Sequence, residues 1–126
     1  MLADGGVFIA LLNHPYFRIP KLTSWGFDGS EAQYRRVNAY MSNQKLEINM
    51  NPGESEKDYT AAEKTVSFHR PLQGYIKMFS ESGFALVDME EWISNKVSAP
   101  GKRAEAENIA RSEIPLFMSL VFKIIK

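Results

Sequence analysis

Two histidines and three arginines are the residues best equipped for chemistry in this chain. His14 closes an apolar run at Asn13-His14-Pro15, and His69 stands two residues before a helix-like segment. A neutral imidazole near physiological pH can take a proton from a hydroxyl or an amine, so His14 and His69 are the candidate catalytic residues. Arg18, Arg35 and Arg70 suit a carboxylate or a phosphate, and Trp25, Tyr34, Tyr40 and Tyr75 could wall an apolar ligand beside them. With Asn13, this makes Arg18, Trp25, Tyr34, Arg35, Arg70 and Tyr75 the candidate substrate-binding set. A metal site built from His14 and His69 with Asp28 or Glu31 lacks any local ligand spacing. A serine hydrolase is set aside because no G-x-S-x-G elbow is present.

The elements that must position these groups centre on residues 66–92, VSFHRPLQGYIKMFSESGFALVDMEEW. This stretch reads as an extended lead-in, a helix, a glycine stop and a strand. Pro71 suits a first helical turn, and Leu72, Tyr75, Ile76 and Phe79 share one helix face. Gly83 ends the helix, and residues 84–89 are strand-like. Residues 7–12 form an unbroken apolar run, the pattern of a strand covered on both faces. Pro115 belongs at the start of a last strand, 116–125, too short at that length to span a bilayer. Residues 102–112 read as a short, mostly solvated helix after a Pro100-Gly101 loop. Between Tyr16 and Thr65, residues 33–41 and 46–50 suggest a hairpin turning at 42–45, and the polar residues 51–58 a mobile loop.

The 126 residues suit a single domain able to bury about two thirds of its unfolded surface. Fifteen basic residues cancel fifteen acidic ones, with no long basic run, which argues against a nucleic-acid partner. The absence of cysteine excludes disulfides and thiolate catalysis. Asp4, with no basic lead, argues against a signal peptide, so no membrane association and a cytoplasmic location are expected.

In order and spacing, Gly5-Gly6 with residues 7–15, then Phe68-His69-Arg70-Pro71-Leu72 opening a helix, then Glu113-Ile114-Pro115-Leu116-Phe117 resemble the C-terminal half of a class I S-adenosylmethionine-dependent methyltransferase. The resemblance implies an α/β fold: a partial Rossmann-like methyltransferase sheet of about three core strands, mixed, with an inserted β-hairpin region. In it, the last strand is antiparallel and lies between 7–12 and 84–89, and residues 16–65 are a substrate-side insertion. A histidine at such a site would act as a general base, while aligning acceptor and methyl group supplies most of the acceleration.

In that family the Gly-rich turn and the ribose-binding acid lie on earlier strands, and neither is found here. The resemblance thus implies S-adenosylmethionine as the family's cofactor, with no cofactor bound by this chain alone. It also implies that strand 7–12 has lost a neighbour. The expected partner is a second copy, through an exposed sheet edge or exchange of the 16–65 arm, or else a complementary chain. A stand-alone small-molecule-binding or dimerisation module is the other function the residues allow.

Overall fold

The computed structural model describes residues 2–49 and 64–125. The expected loop at 51–58 lies outside them. In chain order the elements are β1 (Val7–Asn13), β2 (Thr23–Asp28), β3 (Ala32–Val37), β4 (Gln44–Asn49), β5 (Lys64–His69), α1 (Leu72–Glu81), β6 (Phe84–Trp92), α2 (Ala104–Glu113) and β7 (Phe117–Ile124).

A three-stranded sheet of order β1-β7-β6 forms the core. The near-continuous apolar sequence of β7 suits the central place, where both edges are paired. The order is the one the resemblance implies. The sheet is not mixed, however: β7 pairs antiparallel with β1 and with β6, so the two strands that run the same way never meet. Period-two alternation sends Met118, Leu120 and Phe122 to one face, where all three are fully buried. Leu72, Tyr75 and Phe79 of α1 close over them, and the Phe79 ring stacks on Phe122 at 4.1 Å.

Helix α1 begins one residue later than expected, with Pro71 as its N-cap at ψ 159°. Its first free N–H, that of Leu72, donates to the Tyr40 hydroxyl at 2.9 Å. Gly83 takes φ +88° and ends the helix, and its carbonyl accepts the N–H of Ile125, tying the helix stop to the end of β7. Strand β6 then carries a register break between Leu86 and Asp88, which turns the side chain of Val87 outward.

The opposite face of this sheet corrects another expectation. Strand β1 is not covered on both sides: Ile9 is 57% and Leu11 61% exposed, and Phe117 beside them on β7 is exposed too. The alternate residues Ala10 and Leu12 meet the core, and Phe8 on the same face packs its ring 5.1 Å from that of Phe79. The apolar run of β1 thus reflects two apolar faces, of which α1 covers one.

The arm differs more from expectation. Its first hairpin is β2–β3, from Thr23↔Val37 to Asp28↔Ala32, and not a pairing of 33–41 with 46–50. Gly29, at φ +60°, makes the tight loop after Asp28, and Asp-Gly is itself a strong hairpin signal. Strand β4 pairs instead with β5, from Gln44↔His69 to Asn49↔Lys64. The lead-in to α1 therefore belongs to the arm, and residues 66–92 are not a strand–helix–strand unit of one sheet. Helix α2 packs against β3 with Ala106 and Ala110 buried, so it is less solvated than its composition suggests. Ser98 anchors the preceding loop to it through Asn108, Glu107 and Arg111.

Candidate functional site

The candidate residues fall into three neighbourhoods. At the end of the core sheet, the His14 N–H donates to the Leu116 carbonyl at 2.8 Å, and His14 is only 4% exposed. Its ring Nε2 lies 2.7 Å from Glu91 Oε2. A carboxylate can only accept, so the proton sits on Nε2 and Nδ1 is the nitrogen left over. Nδ1 is buried and has no hydrogen-bond partner among the described residues. The Tyr16 ring meets the imidazole edge-on at 4.2 Å, and burial, reinforced by the Glu91 charge, pushes the Tyr16 hydroxyl pKa above its ordinary value. Asn13 is exposed at the last pair of β1, opposite Phe117.

His69 occupies a different place. Its Nε2 donates to the Tyr40 carbonyl at 2.7 Å, and Tyr40 in turn accepts from the start of α1. The imidazole therefore fastens the arm to the helix. His69 and Arg70 line a small cleft of about 180 Å³ with Asn43, Gln44, Lys45 and Phe68, which His14 does not share. Tyr75 packs against the core beneath α1, and its hydroxyl pKa is raised by burial against an opposing effect of Arg70. Tyr34 lies across Gly26, its cross-strand partner. A β-carbon on Gly26 would fall 2.3 Å from the ring, so the glycine makes the room the tyrosine fills.

The third neighbourhood brings candidates together. A cleft of about 600 Å³ opens between the two hairpins, lined by Arg18, Lys21, Arg35, Glu47, Ile48 and Lys64 among others. Arg35 is held from several sides. Its Nε and Nη2 donate to the Phe17 carbonyl, and Nη2 also donates to Thr23 Oγ1 at 3.1 Å. Its guanidinium lies 3.8 Å from the Phe17 ring centroid and 5.2 Å from that of Trp25. Burial first, and then the Arg18 charge, lower the Arg35 pKa. The loop beneath is built by turns: Phe17 and Arg18 donate to the His14 carbonyl, and Leu22 and Thr23 to that of the fully buried Ile19.

Of the sequence candidates, then, Arg18 and Arg35 line this cleft, the Trp25 ring lies 5.2 Å from the Arg35 guanidinium, and Asn13, His14, His69, Arg70, Tyr34 and Tyr75 lie elsewhere. Glu91, Phe17, Lys21, Thr23, Glu47 and Lys64 join these neighbourhoods without having been singled out. Glu91 is 77 positions from His14, and no local spacing could have paired them. Among the described residues no group of three or more His, Asp or Glu side chains could hold a metal ion, and no helix is long and apolar enough to cross a membrane.

No protein-family model matches this chain, and no curated protein matches its sequence. Among solved structures it is similar to an S-adenosylmethionine-dependent methyltransferase from Mesorhizobium loti, with a TM-score of 0.58 and 19% identity. The match covers 93% of this chain and 48% of that one, so the chain spans about half the length of the structure it resembles. The fold is methyltransferase-like.

Proposed function

We propose that this chain is a truncated methyltransferase-like protein, carrying the acceptor-side half of the fold and lacking the half that binds S-adenosylmethionine. The observation that carries the reading is the match over nearly all of this chain and about half of its neighbour. The β1-β7-β6 order, the one the resemblance implies, supports placing that half at the C-terminal end of the fold.

The described residues do not fit the cofactor. Its phosphate-free nucleoside and carboxylate need open backbone N–H groups where a strand passes into a helix, with an acid for the ribose. The β5–α1 junction is Arg70-Pro71, and the first N–H of α1 is already taken by Tyr40. The glycines at positive φ, Gly5, Gly29 and Gly83, precede a strand, turn a hairpin and end a helix, so none opens a helix. The large cleft carries mostly positive charge, which repels a sulfonium. No step of methyl transfer is therefore routed through this chain alone. Its own part is to hold and orient an acceptor. The one ring nitrogen of His14 not spent on Glu91 is the buried Nδ1, and His69 is spent on the Tyr40 carbonyl.

The partner in this reading is a second copy of the chain, in the cytoplasm, joined through the edge of the sheet at β1 or by exchange of the 16–65 arm. The runner-up partner is a complementary chain. Calorimetric titration of the purified chain with S-adenosylmethionine, with solution mass measured on the same sample, tests the reading. No saturable heat and the mass of a dimer are expected. Saturable binding by a monomer would overturn it.

A second reading, a stand-alone ligand-binding module without methyl transfer, is favoured by one observation: the cleft of about 600 Å³ is built within the arm and needs no missing strand. The two readings differ in whether methyl transfer appears once the other half of the fold is supplied.

A further inference from the structure

The cleft between the hairpins has an unbalanced charge. Among the described residues that line it, four are cations, Arg18, Lys21, Arg35 and Lys64, and one is a carboxylate, Glu47. That carboxylate is committed to Lys64, 3.2 Å away. Among the described residues no carboxylate lies within ion-pair distance of the other three cations, although the chain as a whole is neutral. Like charges gathered without counter-charge repel one another, and the Arg35 pKa, lowered first by burial, is lowered further by the Arg18 charge.

Two further features show a site prepared in advance. The Phe17 carbonyl, Thr23 Oγ1 and the Phe17 ring fix the Arg35 fork, and they use only Nε and Nη2. Both N–H bonds of Nη1 remain unspent among the described residues, in the planar geometry that suits an oxyanion. Lys21 holds a left-handed backbone at φ +69°, which costs a non-glycine residue energy and is maintained by the turn closed on Ile19. Ile48 and Pro20 add apolar wall, and about 600 Å³ lies within the roughly 300–1,000 Å³ of small-molecule sites.

We propose that this cleft binds a small organic oxyanion, a carboxylate or a phosphate, with Arg18 and Arg35 as direct ligands, Lys21 as the third cation, and the organic body against Ile48 and Pro20. The inference deepens the acceptor-side reading and rests on it only for the ligand's role as methyl acceptor. Binding itself requires no cofactor. An oxyanion here would relieve the cation repulsion and use donors already fixed, so little ordering cost remains. The cations are confined to one concave site in a neutral chain, which suits a small ligand and not a polyanion.

The test is a titration of the full chain, without S-adenosylmethionine, followed by backbone amide NMR shifts at constant ionic strength in potassium chloride. The probes are phenyl phosphate, benzoate and neutral phenol. Saturable shifts confined to residues 17–23, 35 and 47–48 are expected with at least one anion and not with phenol, and the stronger anion identifies the headgroup. Arg18 is exposed, so Arg18→Gln should fold normally and weaken that anion on the order of tenfold. Lys21→Gln should weaken it less. Equal shifts with phenol, shifts elsewhere, or an affinity unchanged in the Arg18→Gln/Lys21→Gln double variant would overturn the proposal. Calorimetry with S-adenosylmethionine decides the acceptor-side reading separately, and neither of its outcomes moves this one.

Discussion

The core sheet and the arm are two solutions to holding a backbone in place. Strands β1, β6 and β7 with α1 are fastened by side chains taken wholly out of water: Met118, Leu120 and Phe122 are buried, and Phe79 stacks on Phe122. The hairpins β2–β3 and β4–β5 have almost no such interior. Their order comes from a guanidinium gripping a carbonyl and two rings, an imidazole gripping a carbonyl, and a tyrosine laid over a glycine. Burial is strong and indifferent to exact partner, whereas each polar contact is worth little and demands one geometry. Cations left open to water cannot serve as a buried interior, and the candidate cleft that they line lies in the weaker half.

Phe122→Ala should strike hardest. It empties a fully buried site under α1 and should cost about 3–5 kcal/mol, a large share of the roughly 5–15 kcal/mol that stabilises a domain. Urea unfolding followed by fluorescence would measure it. Arg35→Ala, the corresponding loss in the arm, should cost about 1–2 kcal/mol. Hydrogen exchange should then quicken across β2 and β3 and leave β7 amides unchanged. If Arg35→Ala proved the costlier of the two, the contrast between the regions would collapse.

The same contrast governs what could be read in the sequence. The sheet was legible because its signals are local and redundant: an apolar run in β1, another in β7, one apolar face on α1, and Gly83 where the chain reverses. The arm was legible only in part. Asp28-Gly29 announces the β2–β3 hairpin, yet the alternation at 46–50 draws attention to a neighbouring pairing that does not form. Strand β4 finds its partner beyond residues 50–63, a separation with no sequence signature. At the site, residue type alone brought forward Arg18, Arg35 and His14. Lys21 did not stand out because nothing in Pro20-Lys21-Leu22 signals a left-handed backbone, and Glu91 reaches His14 only through the fold.

An alkaline titration sharpens the comparison at the junction. Burial raises the Tyr75 pKa above its ordinary value of about 10, with Arg70 opposing. The unfolded chain therefore loses this proton first, and above pH 10 it binds fewer protons than the folded one. Stability must then fall as pH rises. The contribution is fully present below pH 10 and is lost toward the raised folded value. Tyr75→Phe should flatten that part of the decline in unfolding midpoint that sets in above about pH 10.

Glu47→Gln should have the smallest effect on stability and the most informative one on the cleft. The Glu47–Lys64 pair is more than 60% exposed on both sides, so water already screens it, and its loss should change unfolding free energy by no more than about 0.5 kcal/mol. The same substitution removes the one carboxylate among the described lining residues of the cleft and releases Lys64. Affinity for an oxyanion should therefore rise, most clearly at low salt, where the Debye length is long. A variant as stable as the parent but tighter for benzoate or phenyl phosphate would separate what holds the arm together from what the arm holds. An affinity that fell instead would mean that Glu47 contacts the ligand as an acceptor, and that the ligand carries a donor beside its oxyanion.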